Sequence, residues 1–335
     1  MEQEKKKSKK RGSSIIFTLL NLILSLILTV TLILTVMENR RTVTTMATTI
    51  ETQQQQLEAE LAKESIPMET FREQAQKFNV SAEFLQSFFD DRIVYKDTEG
   101  IVYAPIDESL PKNTYDFSQL VKVNGRYEYR VNGQKTGAVG IDVSKYQGTV
   151  DWEKVKADGI DFAILRLGYR GYGTGKLMLD EQFEENIQNA LKVGMKVGVY
   201  FFSQAVSEEE AREEAQMVID NLKDYSITYP VVLDIEDVPE ASRTSEMTVE
   251  ETTDMAIAFC ETVRDAGYTP MLYANTKWFL ARLDLSRLTD CQKWLAQYYT
   301  TPFFPYELQM WQYTGSGKVD GITGNVDLNV CFAEY

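Results

Sequence analysis

The run Pro230-Val-Val-Leu-Asp-Ile-Glu236 decides how this chain folds. Its apolar opening reads as a short buried strand of the kind that parallel sheets contain. Alternate side chains of a strand share a face, so Asp234 and Glu236 point the same way at its C-terminal end. Two carboxylates held close cannot both ionise freely. One pKa rises, and that group can serve as a general acid. Taken alone the pair fits three readings: an acid–base centre suited to glycosidic bonds, a cation site, or a solvated strand end.

Outward from this strand, residues 137–335 alternate apolar runs with helical patterns. The expected strands are Val139–Ser144, Phe162–Gly168, Lys196–Ser203, Pro230–Glu236, Pro270–Ala274, Lys293–Tyr298, Leu308–Tyr313 and Val326–Cys331. Between the earlier ones, Asp180–Val193 sets Phe183, Ile187, Ala190 and Leu191 on one helical face. Ser207 with Glu210, and Thr248 with Glu251, read as capping boxes opening two more helices. Short irregular links join the last three strands. Five strand–helix units followed by three strands predict an α/β fold, a modified TIM-like (β/α)5(β)3 barrel, whose sites lie at the C-terminal ends of strands. Asp142, Asp234, Glu236 and Asp327 all stand at or near such ends. Aromatic residues recur there too, from Tyr146 and Tyr169 through Tyr200, Tyr273, Trp294 and Tyr298 to Trp311 and Tyr313. Packing accounts for part of this set, but a ring with a polar tip also suits a sugar. Trp311-Gln312-Tyr313 and Tyr273 look most site-like, each closing a strand.

The 335-residue chain contains no histidine, which excludes Ser-His-Asp and Cys-His catalysis and His-ligated zinc. A net charge of −15 argues against nucleic acid as a partner. Cys260, Cys291 and Cys331 lack CxxC spacing and read as buried free thiols, with one disulfide as the alternative outside the cytoplasm. The acids lack calcium-loop spacing, and neither a metal nor a cofactor is implied.

Ahead of the barrel the chain divides into four segments. Residues 1–12 form a basic tail with six Lys and Arg between Lys5 and Arg11. Residues 13–37 hold an uncharged apolar run long enough to cross a bilayer as an uncleaved signal anchor, against a cleaved signal peptide as the alternative. The basic tail places the N-terminus in the cytoplasm and the barrel outside, giving a single-pass protein of the cell membrane. Residues 38–66 read as a polar helical stalk, a candidate for weak pairing of two copies. Residues 67–136 read as a small α+β module with Asn124-Gly125 and Asn132-Gly133 as hairpin turns. It shows no catalytic constellation and reads as a spacer or packing module, with glycan or partner binding as the alternative; regulation of the barrel, with or without a protein partner, is a further role open to it.

The barrel region resembles glycoside hydrolase family 25, the Chalaropsis-type lysozymes. The resemblance rests on Gly140-Ile-Asp-Val-Ser144 with Tyr146-Gln147 and Asp151-Trp152, then Ile164-Leu-Arg-Leu-Gly-Tyr169, Val197-Gly-Val-Tyr-Phe-Phe202, Asp234-Ile-Glu236, Trp311-Gln-Tyr313 and Val326-Asp-Leu-Asn329, in that order. It implies cleavage of the β-1,4 bond between N-acetylmuramic acid and N-acetylglucosamine in peptidoglycan glycan strands. By that resemblance Glu236 is the proton donor and Asp234 supports attack by the 2-acetamido group. Asp142 and Asp327 are further site acids, and Tyr169, Tyr200, Tyr273 and Trp311 bind substrate. Many members carry His where this chain has Phe201, which reads as a subsite or packing difference. Arg166 reads as the ion-pair partner of a nearby acid. Two other readings stand beside the muramidase: a silent wall-binding module that tethers wall to membrane, and a hydrolase of another acetamido-sugar polymer.

Overall fold

The computed structural model describes residues 24–26, 28–32, 34–54, 68–238 and 242–335, and the chain forms two compact units, 1–81 and 82–335. In the first unit the described residues between 24 and 54 are helical (α1), and α2 spans Met68–Lys77. Helix α1 is rich in threonine, a β-branched residue that a helix tolerates less well. Here Thr42, Thr44, Thr45, Thr49 and Thr52 each donate the hydroxyl to the carbonyl four residues earlier, which gives the polar tip an internal partner. The expected membrane segment, 13–37, and the stalk, 38–66, fall partly outside the described residues. Among the described residues no helix is long and apolar enough to cross a membrane.

The second unit opens with α3 (Ala82–Gln86) and two small antiparallel sheets. One is the hairpin β1 (Arg92–Asp97) with β2 (Gly100–Pro105); the other joins β3 (Leu120–Val123), β4 (Arg126–Val131) and β5 (Gln134–Lys135). Asn124-Gly125 and Asn132-Gly133 make the turns of the second sheet, both residues of each pair at positive φ as a type I′ turn requires. These residues lie on the barrel. The backbone amide of Asp107 donates to the Tyr306 hydroxyl, Asn113 N–H to the Pro305 carbonyl, and Glu307 N–H to the Pro111 carbonyl.

Eight strands close the barrel in the order β6 (Ala138–Val143), β7 (Phe162–Arg170), β9 (Lys196–Phe202), β10 (Val231–Asp234), β11 (Pro270–Asn275), β12 (Gln292–Ala296), β13 (Met310–Gly317) and β14 (Val326–Cys331), with β14 pairing back to β6. A three-residue strand absent from the sequence reading, β8 (Leu177–Leu179), hangs on the edge of β7. Helices α4 (Trp152–Ala157), α5 (Phe183–Lys192), α6 (Glu208–Leu222), α7 (Val249–Asp265) and α8 (Thr276–Ala281) follow the first five barrel strands. The barrel strands β6, β7 and β9 to β13 run parallel, whereas β14 is antiparallel to both its neighbours and the edge strand β8 is antiparallel to β7. Five strand–helix units and three further strands give the (β/α)5(β)3 arrangement.

Of the two expected capping boxes, one forms and one needs correction. Thr248 and Glu251 form a reciprocal box at the start of α7. At α6 only half of one forms: the Ser207 hydroxyl accepts from Glu210 N–H, but the Glu210 carboxylate accepts from Val206 N–H and pairs with Arg243 at 2.7 Å. An arginine fork outcompetes the reach back to the cap.

The core has two parts. Between strands and helices lies the larger cluster, with Phe183, Val197, Phe259, Leu295 and Trp311 among its members. Inside the barrel Phe162, Ile164, Val232, Met271, Trp294 and Met310 fill the space below the site. Gly140 makes room for this filling, because a Cβ there would come within 2.2 Å of the Phe162 ring. All three cysteines are buried and free.

Candidate active site

The strand alternation that brings Asp234 inward does the same on the neighbouring strands. Tyr200 on β9 is the inward residue beside Val232, and Tyr273 on β11 lies in register with Asp234. Because β14 is antiparallel, its first residues reach the end where the parallel strands finish, and Asp327 pairs in register with Asp142 on β6. The four acids thus come from the first, fourth and last barrel strands and the loop after the fourth. Together they line a cavity of about 560 Å³ with Tyr146, Tyr169, Tyr200, Tyr273, Trp294 and Tyr298.

One carboxylate is held by a chain of donors. Asp142 Oδ2 accepts from Gln312 Nε2 at 3.0 Å and from Asn329 Nδ2 at 2.8 Å. Gln312 Oε1 in turn accepts from the hydroxyls of Tyr273 and Tyr298, and Asn329 Oδ1 from the Trp294 indole N–H. These outer donors fix both amides with their NH2 groups toward Asp142. Asp234 differs: it is buried, and its Oδ1 has no hydrogen-bond partner.

Burial dominates the electrostatics. It raises Asp142 well above the usual carboxylate range, the charge of Asp327 adding to it and the two amide donors opposing. Asp234 is likewise raised by burial, then by the charges of Glu236 and Asp142, with Arg166 opposing. Glu236 is pushed up to about 7 by burial and by the Asp327 charge, and Asp327 to about 6 by burial. Four like charges in one cleft cannot coexist at neutral pH, so some of these groups keep their protons.

The cavity's other end is aromatic and cationic. Arg166 Nε donates to Asp180 Oδ2 at 2.6 Å, the ion pair expected from its sequence position, and its guanidinium lies 5.0 Å from the Tyr146 ring centre and 5.4 Å from that of Tyr169.

Of the residues expected in the site, Asp142, Asp234, Glu236, Asp327, Tyr169, Tyr200 and Tyr273 line this cavity together, and Trp311 does not. Trp311 is wholly buried in the core between strands and helices, its indole donating to the Gln297 carbonyl at 2.7 Å. The physical reason is parity: on β13 the inward residue is Gln312, so its neighbours Trp311 and Tyr313 face outward. Phe201, where many family members carry His, is fully buried in the same outer core, a packing position. Sequence reasoning missed Gln312 and Asn329. Their signal was a polar residue inside an apolar strand, and for Asn329 its spacing of two from Asp327.

The family model described as glycosyl hydrolases family 25 matches residues 141–322. Lysozyme M1 of Streptomyces globisporus is 27% identical over 208 residues, covering 58% of this chain and 67% of that protein. The autolytic lysozyme of Clostridium acetobutylicum is 24% identical over 191 residues, 57% of this chain and 54% of the relative. Among solved structures, a family 25 glycosyl hydrolase from Bacillus anthracis superposes with a TM-score of 0.52 at 25% identity, covering 63% of this chain and 95% of that one. The modular autolysin LytC from Streptococcus pneumoniae gives a TM-score of 0.53 at 25% identity over 72% of this chain, which spans 57% of the LytC chain. The family match extends over more than half of the sequence and takes in Asp142, Asp234 and Glu236; the chain belongs to glycosyl hydrolases family 25 and is a glycoside hydrolase.

Proposed function

We propose that the protein is an N-acetylmuramidase that cleaves the β-1,4 bond between N-acetylmuramic acid and N-acetylglucosamine in peptidoglycan. The observation that carries this reading is the pairing of two unlike acids. Glu236 holds its proton up to about pH 7, and Asp234 beside it is buried with an oxygen lacking any partner. Glu236 is the proton donor: its O–H goes to the glycosidic oxygen as the bond from that oxygen to the anomeric carbon breaks. The electron pair lost from the anomeric carbon is replaced by the carbonyl oxygen of the substrate's own 2-acetamido group. Asp234 orients that group and balances the positive charge it gains. Glu236, now a carboxylate, takes a proton from water, whose oxygen attacks the anomeric carbon and reopens the ring. Two carboxylates only two residues apart at one strand end favour this route over attack by a protein nucleophile, which needs acids on opposite sides of the sugar. The lysozyme names of two relatives support the choice of substrate.

Reductive analysis of muropeptides released from cell walls tests the proposal. The parent should produce new reducing ends on N-acetylmuramic acid, and Glu236→Gln should be slower by roughly 10²–10⁴-fold, the usual worth of a positioned acid. The first product should keep the anomeric configuration of the substrate by NMR. Reducing ends on N-acetylglucosamine instead, or inversion, would sink the assignment. On the same reading residues 13–37 anchor the enzyme in the cell membrane with the barrel outside, where its substrate lies. External protease should then remove the barrel from spheroplasts and leave a short membrane-bound fragment.

A further inference from the structure

Glu236, Tyr273 and Tyr298 line not one cavity but two. The second, about 580 Å³, runs from these residues to the β1–β2 hairpin, whose Tyr95, Lys96, Asp97 and Thr98 form its far wall. Asp234 lines the first cavity and not the second. This asymmetry orients a bound glycan. The sugar attacked at its anomeric carbon must lie over Asp234, hence in the first cavity. The glycosidic oxygen must meet Glu236, on the border of the two, so the leaving side of the strand continues into the second.

We infer that the β1–β2 hairpin builds a binding subsite for the leaving-group side of the glycan, extending the cleft beyond the first sugar past the scissile bond. This rests on the hydrolase reading above. The hairpin lies outside the span matched by the family model, so the subsite is built by residues that precede the matched barrel. Three observations support it. Tyr298, on the shared border, is 57% exposed although its hydroxyl is anchored on Gln312, a ring face held open to solvent in a fixed orientation. Lys277, at the start of α8, bridges Asp97 of the hairpin at 3.4 Å and Asp237 next to the acid at 2.9 Å. The hairpin is further held by the Tyr299 hydroxyl, which donates to the Val94 carbonyl at 3.4 Å. The wall is therefore fixed to the loop that carries Glu236. Aromatic faces with interspersed polar tips are the lining that sugar rings take.

The test compares two substrates in the full chain. Solubilised glycan strands extend through both cavities; an aryl glycoside of an N-acetylglucosaminyl–N-acetylmuramyl disaccharide leaves the second one empty beyond its ring. The double variant Lys96→Ala/Thr98→Ala removes exposed wall side chains without touching the acids. Its KM on glycan strands should rise by roughly three- to tenfold, the worth of one or two lost hydrogen bonds, with kcat and the aryl glycoside rate unchanged. Asp97→Ala, which frees one side of Lys277, should act in the same direction. Unchanged KM on strands, or an equal loss on both substrates, would overturn the inference. The aryl glycoside rate also reports that each variant is folded. If Glu236→Gln binds strands but the parent never cleaves them, the hydrolase reading fails separately, and the double variant's strand affinity still judges the subsite.

Discussion

Glu236 and Asp142 carry the same functional group at the same end of one barrel, yet their surroundings assign them different work. Asp142 receives two amide donors and ends a relay that starts at Tyr273, Tyr298 and Trp294. Among the described residues no such donors reach Glu236, which keeps its proton to about pH 7 through burial and the nearby Asp327. In its proposed role as proton donor Glu236 must be protonated to act, so kcat/KM should fall as pH rises through about 7. Asp327→Asn removes one of the charges that hold this value up, so the alkaline limb should move to lower pH in a pH–rate profile. A limb left in place would show that burial and the neighbouring Asp237 set it without Asp327. Gln312→Leu breaks the relay at its middle and leaves two hydroxyls and Asp142 short of a partner. It should cost activity while Trp311→Phe, a change in the outer core, should leave KM unaltered. That contrast is where sequence reasoning fell short. The bulk of Trp311 drew attention, whereas the side of the strand decides which residue meets a substrate. Gln312 was visible as the polar residue between two aromatics, and the two-residue spacing applied to Asp234 and Glu236 would also have found Asn329 from Asp327.

At the level of elements, the barrel strands were legible because parallel strands buried on both faces are continuous apolar runs. Strand β8 was not, since Leu177–Leu179 is three residues long and its pairing is set by β7 rather than by its own sequence. The small sheets announced themselves through Asn-Gly turns. Their place on the barrel did not, because Asp107, Asn113 and Asp97 meet partners about 200 positions away for the first two and 180 for the last. Strand β6 offers a sharp test of packing. Gly140→Ala sets a methyl group 2.2 Å from the Phe162 ring, deep inside the barrel. Overpacking of this kind costs roughly 1–3 kcal/mol or more. The urea midpoint should drop with an unchanged m-value, and Phe162→Leu in the same chain should restore part of the loss.

For the whole molecule, the acid cluster trades stability for chemistry. Glu236 and Asp327 have folded pKa values of about 7 and 6, above those of the unfolded chain, so between about pH 4 and 7 the folded state binds more protons. Their contribution is therefore fully favourable below the unfolded values and is lost as pH rises through 6 and 7. Glu236→Gln should leave stability at pH 4 unchanged and raise it at pH 8 by roughly 1–3 kcal/mol, measured by denaturant unfolding at both values. Equal shifts at the two would show that the proton is not the cause.

The pairing of the last barrel strand with the first carries a consequence for biogenesis. Asp142 is made early and waits on β6; its register partner Asp327 and its donor Asn329 arrive only with β14, nearly two hundred residues later. A chain still on the ribosome thus holds Glu236 without the strand that closes the cleft around it. The cleft is therefore incomplete until a single six-residue strand, β14, is in place.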